Sequence, residues 1–504
     1  MNAPLHTMEH FDLCVIGGGP AGYAAAMRAI DLGLRTVLVE RERIGGTGIF
    51  NGALMSKTLW ELSQRVTSAN EVIRERSRQP FRLSWPEISK VLNEAVFERK
   101  YLYACHLQLL ENSGDRFKHM RGTAHFTGPH TVMVSRSDAR TTVHADHFVI
   151  ATGSRPRSMP DVRVDERRIL SSDGIFAIND LPESIVIVGA GVIGCEFATI
   201  FSNFGRTRVH MIDRADRILP FEDADVSGTI TRELERKGVI IHHGARLERM
   251  EAMPHGVEYT ISGQDGRTTV TTELALLSVG RVPNTDGLGL EHTGVERDTA
   301  SGRIVVNDTR TSVPHIHVVG DATGSHMLVN LGELEGRHAV ELLCGKAERP
   351  ISYDNVSTIM FLDPEVAGVG LNEQECVRQG IAHRTARIDY ACVARAIAMR
   401  RTRGFFKLIV TDDDHMNVLG MRAVGEHASS AIQSVALMMR TGLGVRELAD
   451  LTHPHPSITE GLQECARMLL GTSIFKSPVF GDKMYLGTWR PGTGTKDGAK
   501  VLAA

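Results

Sequence analysis

Two glycine-rich turns, one near the amino terminus and one in mid-chain, constrain the fold more than any other feature of this 504-residue sequence. At the first, an apolar segment (residues 11–16) runs into the motif GGGPAG (residues 17–22), and a helix-forming stretch of small residues follows (23–32). A second apolar segment (36–39) then ends at Glu40. The pattern of strand, glycine turn, helix and strand predicts a βαβ unit.

Each conserved chemical part of a dinucleotide-binding turn is present in this unit. Gly17 permits the tight turn, Gly19 lets a pyrophosphate approach the backbone, and Gly22 lets the helix pack on the strand. Glu40 stands where a carboxylate accepts hydrogen bonds from a ribose. The segment is therefore predicted to bind a dinucleotide at the amino end of its helix.

A second unit repeats this construction. The apolar segment 185–188 leads into GAGVIG (residues 189–194), a helical stretch (195–204) and another apolar segment (208–212). Its candidate binding residues are Gly189, Gly191, Gly194 and Asp213. Two such units in one chain predict an α/β protein that binds two different dinucleotides.

The acid of the second unit bears on the choice between NADH and NADPH. Asp213 favours a free 2′-hydroxyl and therefore NADH, whereas an arginine at this place holds a 2′-phosphate. Arg214 and Arg217 follow closely, so NADPH stays open, and NAD(H) is the preferred expectation.

Composition excludes several classes of protein. The formal net charge of −3 gives no reason to expect binding to nucleic acid or to a membrane surface. No apolar run approaches the ~20 residues of a spanning helix, and the first residues do not resemble a secretory signal. The seven cysteines are dispersed without metal-ligand spacing, which predicts reduced thiols, a cytoplasmic location and no metal site.

Further motifs carry a resemblance to a known family. They are FVIATGS (148–154), LSVGRVPN (277–284), HVVGDA (317–322) and FLDPEVAGVG (361–370). Over residues 10 to about 475 the chain resembles the flavoproteins that bind two dinucleotides, such as dihydrolipoamide dehydrogenase, glutathione reductase, mercuric reductase and soluble transhydrogenase. The resemblance implies tightly but non-covalently bound FAD, NAD(P)H as the second dinucleotide, and a homodimer.

The resemblance also implies the domain organisation. An FAD domain is expected over 8–154 and 277–350, an NAD(P) domain over 155–276, and an α+β interface domain over 351–475. Residues 476–504 would form a tail, without regular structure from Gly487 on. The FAD domain would add the cofactor contacts Thr152, Gly153, Gly280 and Asp321. Helical spacing predicts long helices between residues 58 and 110, broken near Pro80 and Pro86.

The segment 45–57 departs from the family pattern. Where relatives carry a redox-active Cys-x4-Cys pair, this chain has Gly48 and Ala53. Thiol–disulfide exchange requires a thiolate, and neither residue supplies one. Phe50, Asn51 and Met55 also differ from the usual residues, so the whole segment is expected to be re-specialised.

Two further pairs match catalytic residues of the family. Lys57, one helical turn after Ala53, would pair with Glu196 beside the flavin, because a buried ammonium needs a carboxylate partner. His455 and Glu460 match the family's acid–base histidine and the glutamate that orients it, a dyad that reaches into the partner subunit's active site. His453 is expected to make a structural hydrogen bond.

Three functions remain open. The leading hypothesis is an FAD-dependent NAD(P)H:acceptor oxidoreductase that works without a redox disulfide, with a quinone-like or other small organic acceptor. The arginines after Asp213 favour the alternative of a soluble pyridine nucleotide transhydrogenase, although hydride transfer to a nicotinamide needs no general acid. A redox sensor that binds flavin and NAD without turnover is the third, and retention of Lys57, Glu196 and His455 disfavours it.

Overall fold

The computed structural model describes residues 8–73, 79–137, 139–264, 266–298 and 301–492. The chain forms two compact units. Unit 1 includes the described residues of Met1–Leu62, Phe81–Leu181 and Ser278–Ile351, and unit 2 those of Ser63–Pro80, Pro182–Leu277 and Ser352–Ala504. The α/β class predicted from the sequence is confirmed.

The first part of the chain builds most of unit 1. Its elements are β1 (Met8–Ile16), α1 (Pro20–Asp31), β2 (Thr36–Glu40), α2 (Gly46–Phe50), α3 (Ala53–Ile73), α4 (Trp85–Asn112), β3 (Phe117–Arg121), β4 (Thr123–Gly128), β5 (Thr131–Arg136), β6 (Ala139–Ile150), β7 (Ser154–Pro156) and β8 (Ile169–Ser171). The predicted helical region between 58 and 110 is confirmed as α3 and α4, with Pro86 in the first turn of α4. Ser84 and Glu87 form a capping box there, which fixes where α4 begins.

The middle of the chain contains the second glycine turn. Its elements are β9 (Ser184–Val188), α5 (Val192–Phe204), β10 (Arg208–Ile212), α6 (Ala224–Arg236), β11 (Ile240–His242), β12 (Arg246–Met253), β13 (Gly256–Gly263), β14 (Gly266–Thr272) and β15 (Leu274–Leu277). Parallel strands lie in the order β11-β10-β9-β15, and β12, β13 and β14 form an antiparallel sheet. Both units therefore contain the βαβ arrangement predicted from their glycine motifs.

The remaining elements complete both units. They are β16 (Arg281–Pro283), β17 (Ile316–Val318) and α7 (Val329–Leu343) in unit 1, followed in unit 2 by β18 (Thr358–Met360), β19 (Val366–Gly370), α8 (Glu373–Arg378), β20 (His383–Asp389), α9 (Ala394–Met399), β21 (Phe405–Thr411), β22 (Val418–Val424), α10 (Ile432–Thr441), α11 (Val445–Asp450), α12 (Glu460–Leu469), α13 (Ser477–Phe480) and β23 (Met484–Trp489). Among the helices so described, none combines the length and apolar character needed to cross a bilayer.

The main sheet of unit 1 is mixed. Its strands run β3-β2-β1-β6-β5-β4, and β17 pairs with the second half of β6. The pairs among β3, β2, β1 and β6 are parallel, and β4, β5 and β6 are antiparallel. Helix α1 packs on α7 closely enough that a Cβ on Gly336 would lie 2.1 Å from the carbonyl oxygen of Ala21. Small residues therefore let these two helices cross next to the first glycine turn.

The carboxyl-terminal prediction needs a correction. Regular structure was not expected from Gly487 on, but Gly487–Trp489 form the end of β23, which pairs antiparallel with β20. The Trp489 ring stacks on His383, with 5.5 Å between ring centres. The prediction used only the local Gly and Pro content. Backbone pairing with a strand that is distant in sequence outweighs that local preference. Residues 493–504 lie outside the described residues.

The domain limits differ in part from those expected. The structure places 155–181 in unit 1 and joins 182–277 to the segment from 352 onward in unit 2. The finer division of unit 2 into a nucleotide domain and an interface domain stays a prediction.

A buried ammonium ties two segments of unit 2 together. Lys407 on β21 is 1% exposed, and its Nζ lies 2.7 Å from Asp223, 2.6 Å from Asp225 and 2.6 Å from Glu373. Although burial lowers the pKa of Lys407, the attraction of the three carboxylates outweighs it and the net shift is upward. The lysine is therefore a cation at neutral pH and compensates the charges around it.

Replacing Lys407 by Met is expected to destabilise the protein strongly, because it leaves three carboxylates without their cation. The expected loss is about 3–5 kcal/mol of unfolding free energy, measured by urea denaturation of the flavin-loaded protein. The matched control is Lys483→Met, since Lys483 pairs with Asp482 on the surface, and we expect a change within about 0.5 kcal/mol. Equal stabilities of the two variants would contradict the assignment.

Candidate active site

Close backbone contacts at the first glycine turn require glycine at two of its positions. Gly17 has φ +107°, and a Cβ there would lie 2.3 Å from the carbonyl oxygen of Ala151. A Cβ on Gly22 would lie 1.9 Å from the carbonyl oxygen of Gly17. Among the described residues, apart from its chain neighbours, no heavy atom lies within 4 Å of the Cβ position of Gly19, the residue that precedes α1. This open space before a helix amino terminus fits the pyrophosphate of a dinucleotide.

Glu40 closes this turn from the end of β2. Its Oε2 accepts a hydrogen bond from the amide of Gly18 at 2.7 Å, and its Oε1 accepts one from the amide of Glu42 at 2.7 Å. A carboxylate offers about four acceptor positions, so the two that remain suit the hydroxyl groups of a ribose. The geometry fits the role predicted for this residue.

A hydrogen-bond network joins the three motifs expected around FAD in unit 1. Ser154 Oγ donates to Asp321 Oδ2 at 2.6 Å, and Arg281 Nε donates to Ser154 Oγ at 2.8 Å. Arg281 also pairs with Asp173 at 2.9 Å. Ser154 and Arg281 were not predicted as site residues, although both lie inside the quoted motifs. The signal available in the sequence was that these motifs contain charged and hydroxyl side chains, which can bond one another.

The other predicted residues of this region lie in the same network of turns. Thr152 Oγ1 donates to the carbonyl oxygen of Asn284 at 2.7 Å. Gly153 and Gly280 adopt φ +68° and +98°, which favours glycine at both places. The segments are therefore held together as the resemblance implies.

The second glycine turn, in unit 2, has the same design. Asp213 Oδ2 accepts from the amide of Ala190 at 2.5 Å, and Oδ1 accepts from the amide of Ala215 at 2.8 Å. Gly189 adopts φ +101°, and the Cβ position of Gly191 is open. Gly194 is buried in the first turn of α5. The second turn thus also fits a pyrophosphate and a ribose.

The two arginines near Asp213 differ in their surroundings. The guanidinium of Arg217 donates to the carbonyl oxygens of Pro220 at 2.8 Å and Glu222 at 3.0 Å. Arg214 is exposed. Arg217 is therefore engaged by its own loop.

The segment 45–57 of unit 1 consists of two helices. Gly48 lies within α2, and Ala53 is the first residue of α3. A Cβ on Gly48 would lie 2.9 Å from Cγ of Pro20 and 4.0 Å from Cγ2 of Val329. The guanidinium of Arg43 lies over the ring of Phe50 at 5.1 Å. The packing of α2 is therefore adapted to a residue without a side chain at position 48.

The pairing of Lys57 with Glu196 stays a prediction. Lys57 lies one turn after Ala53 in α3. Glu196, in α5 of unit 2, is buried and accepts a hydrogen bond from the amide of Phe361 at 3.0 Å.

Cys195, the cysteine next to the second glycine turn, does not substitute for the missing pair. All seven are free thiols. Cys195 follows the second glycine turn, but it is fully buried, and burial raises its pKa far above the usual range. It is therefore a thiol, and not a nucleophilic thiolate, at neutral pH.

The His455–Glu460 dyad is formed within unit 2. His455 Nδ1 lies 2.7 Å from Glu460 Oε1, and Glu460 Oε2 accepts from the amide of Ser457 at 2.8 Å. Although burial raises the pKa of Glu460, the hydrogen bonds from His455 and Ser457 outweigh it, and the net shift is downward. An ionised Glu460 at the start of α12 thus orients the imidazole and leaves Nε2 as the nitrogen available to a substrate. His453 Nδ1 bonds Thr459 Oγ1 at 3.0 Å.

The two turns and the dyad define a class of nucleotide-binding oxidoreductases, and comparisons with known proteins identify the family. The chain belongs to the pyridine nucleotide-disulphide oxidoreductase family, whose model matches residues 11–336, while the dimerisation-domain model of that family matches residues 356–466. Proteins of this family use FAD and NAD(P), and the chain is a flavin-dependent oxidoreductase.

Relatives and solved structures agree with this assignment. Dihydrolipoyl dehydrogenase of Bacillus subtilis (strain 168) is 32% identical, over 92% of this chain and 97% of the relative. The structure of LpdA from Mycobacterium tuberculosis has a TM-score of 0.83 at 28% identity and covers 91% of this chain and 99% of that one. The Cu(II) complex of the HOCl-induced flavoprotein disulfide reductase RclA from Escherichia coli has a TM-score of 0.79 at 26% identity, over 92% and 100% of the two chains.

Adding a Cβ at position 48 is expected to destabilise the protein. Gly48→Ala forces Pro20 or α2 to move, and overpacking of this kind costs about 1–3 kcal/mol. The control is Gly128→Ala, because no atom lies within 4 Å of that Cβ position. Urea denaturation of both variants measures the difference. If Gly48→Ala were as stable as the control, the segment would accept a cysteine and the packing argument would fail.

Proposed function

We propose that this protein transfers electrons from NAD(P)H through FAD to a quinone-like or other small organic acceptor, without a redox-active dithiol. The observation that carries the proposal is at position 48, where α2 packs against Pro20 so closely that an added Cβ would lie 2.9 Å from its Cγ. With Ala at position 53, the segment that matches the redox loop of relatives contains no thiol. The acceptor must then react without a dithiol intermediate.

The chain supplies binding sites for both dinucleotides. In unit 1 the open amino end of α1, Glu40 and the network through Asp321 fit FAD. In unit 2 the amino end of α5 and Asp213 fit the nicotinamide dinucleotide. When bound, FAD accepts a hydride equivalent and passes its electrons on. We assign to Lys57 and Glu196 the orientation of the reacting rings, as the family resemblance implies.

The dyad supports an acceptor that takes up protons. Glu460 fixes the imidazole of His455 through a 2.7 Å hydrogen bond, the arrangement of a positioned general acid. Reduction of a quinone consumes two electrons and two protons, whereas hydride transfer to a second nicotinamide needs no acid. The dyad therefore favours the quinone-like acceptor over the transhydrogenase alternative.

A homodimer fits the exposure of this histidine. The side chain of His455 is 71% exposed in the single chain, which is unusual for a general acid that must work away from water. The matched dimerisation-domain model extends to residue 466. We propose that His455 serves the active site of the partner subunit in a homodimer, so that two chains form two complete sites.

NADH is the proposed donor. We expect Asp213 to accept a hydrogen bond from a 2′-hydroxyl, and its charge would repel a 2′-phosphate. The guanidinium of Arg217 donates to the carbonyl oxygens of Pro220 and Glu222, so it is less available to bind a phosphate. Because the seven cysteines are free thiols, we place the enzyme in the cytoplasm.

The number of electrons taken up per flavin tests the proposal directly. Anaerobic titration with dithionite is expected to consume two electrons per FAD, because no dithiol accepts a second pair. Uptake of four electrons would reveal an additional redox pair and overturn the proposal. Repeating the reduction with NADH and NADPH in a stopped-flow instrument tests the donor preference separately.

Removing the imidazole at position 455 is expected to affect only the proton-requiring half of the reaction. In His455→Ala, reduction of the flavin by NADH should remain unchanged. Reoxidation by a quinone should slow about 10²–10⁴-fold, the usual contribution of general acid–base catalysis. Reoxidation by a one-electron outer-sphere dye should hardly change.

The control for this experiment is His415→Ala, since His415 is an exposed histidine of the same unit, outside the dyad. If reoxidation by the quinone and by the dye slowed equally, the dyad would have a structural role. The transhydrogenase or the redox sensor would then be the better hypothesis.

A further inference from the structure

A group of imidazoles lies on the main sheet of unit 1, at the end opposite to the glycine turn. His10 on β1 and His144 on β6 are register partners in the parallel pair. Their rings stack, with 5.0 Å between centres and 21° between planes. Asp146 follows on β6, and its Oδ1 lies 3.2 Å from Nε2 of His10. Three groups that ligate metals therefore meet although they are far apart in sequence.

The three side chains are close enough to share one ion. A single ligand atom from each of His10, His144 and Asp146 can be chosen so that all three lie within 4.8 Å of one another. Because His10 and Asp146 are exposed, their side chains have space to rotate toward the spacing of ligands around one metal. Strand register holds the two histidines on one face, opposite to the buried Phe11.

His144 adds a second observation. Its Nδ1 is buried and has no hydrogen-bond partner within the described ranges. A buried ring nitrogen without a partner is unfavourable, and binding a metal at this ring would make use of its donor capacity. On its other face the His144 ring stacks on His130 at 6.0 Å, and His130 stacks on His315 at 4.0 Å. The ligand rings are therefore supported by further imidazoles.

A second group of possible metal ligands, in unit 2, shows by contrast why the His10 group is available to an ion. Asp223, Asp225 and Glu373 also bring three carboxylate oxygens together, but Nζ of Lys407 lies within 2.7 Å of each of them. An ammonium already occupies that position. No ion pair of the His10 group with a lysine or arginine is found among the described residues. The nearby guanidinium of Arg35 lies over the Phe11 ring at 4.7 Å and donates to the backbone carbonyl oxygen of His10.

We propose that His10, His144 and Asp146 form a site for a divalent transition-metal ion of the zinc class. Two imidazoles and one carboxylate suit Zn²⁺, Ni²⁺ or Cu²⁺ and not Mg²⁺, which prefers oxygen ligands. His10 and Gly17 lie at opposite ends of β1, and at about 3.3 Å per residue roughly 20 Å separates them. The bound ion would clamp β1 to β6 and would not take part in electron transfer.

Zinc binding to the flavin-loaded protein, freed of metal with a chelator, tests the site. Titration of wild type with ZnCl₂ against a chromophoric chelator is expected to show one saturable site per chain. His10→Ala and His144→Ala should each weaken it about tenfold or more, the least expected for loss of a ligand. Asp146→Asn, which keeps the shape of the side chain, should weaken it as well. Unchanged flavin absorbance confirms that each variant is folded.

The matched control is His255→Ala, an exposed histidine in the turn between β12 and β13, which should leave the zinc site intact. Zinc should also raise the melting temperature of wild type but not of His144→Ala, and MgCl₂ should not compete. Absence of saturable binding would overturn the proposal. So would binding that survives both histidine substitutions, binding that His255→Ala weakens equally, or equal competition by Mg²⁺. Because turnover is not the readout, these outcomes are independent of the proposed function.

Discussion

The hydrogen bond that a glycine-turn amide donates to a strand-end carboxylate is the constraint on which the rest of the structure depends. Glu40 holds the amide of Gly18, and Asp213 holds the amide of Ala190. Hydrogen bonds to charged groups contribute about 1.5–3 kcal/mol each. They fix the backbone between strand and helix, so that the helix amino terminus is presented in one orientation. Dinucleotide binding, and with it any hydride transfer, requires this orientation in both units.

Ion pairs in the interior of unit 2 also fix the positions of backbone segments. Lys407 joins the start of α6 to α8 and β21, and Arg422 on β22 pairs with Glu222. Such buried pairs are costly to break, because one charge then stays without its partner. The segment that carries Asp213 is thereby fixed relative to the sheet that precedes the His455–Glu460 dyad. Specific ion pairs define this arrangement where apolar packing alone would permit small displacements.

The sequence predicted those features that depend on neighbouring residues. Strand, turn and helix around Gly17 and Gly189 appear within a few residues of their expected limits, because glycine geometry and apolar periodicity act locally. The network of Ser154, Arg281 and Asp321 was only implied by family motifs, and the environment of Lys407 was not predicted at all. Both depend on contacts between segments that are distant in the chain. Strand β23 was missed for the same reason.

The histidine group shows this limit most clearly. His10 and His144 show no recognisable ligand spacing in the sequence, and only the parallel register of β1 with β6 makes them neighbours. Cysteine spacing, by contrast, is a local pattern that can be recognised in the sequence without knowledge of the fold.

The dyad that the candidate active site retains and the cysteines that it lacks both support the proposed class of acceptor. A chain that had lost its function as a whole would be free to lose the carboxylate that orients His455, yet Glu460 bonds both the imidazole and the amide of Ser457. The two cysteines are replaced together with their neighbours Phe50, Asn51 and Met55, and a Cβ on residue 48 would lie 2.9 Å from Cγ of Pro20. A proton donor without a dithiol is of use only to an acceptor that gains protons directly. The retained His455–Glu460 dyad therefore supports the acceptor class that we propose, a small organic molecule that gains protons directly.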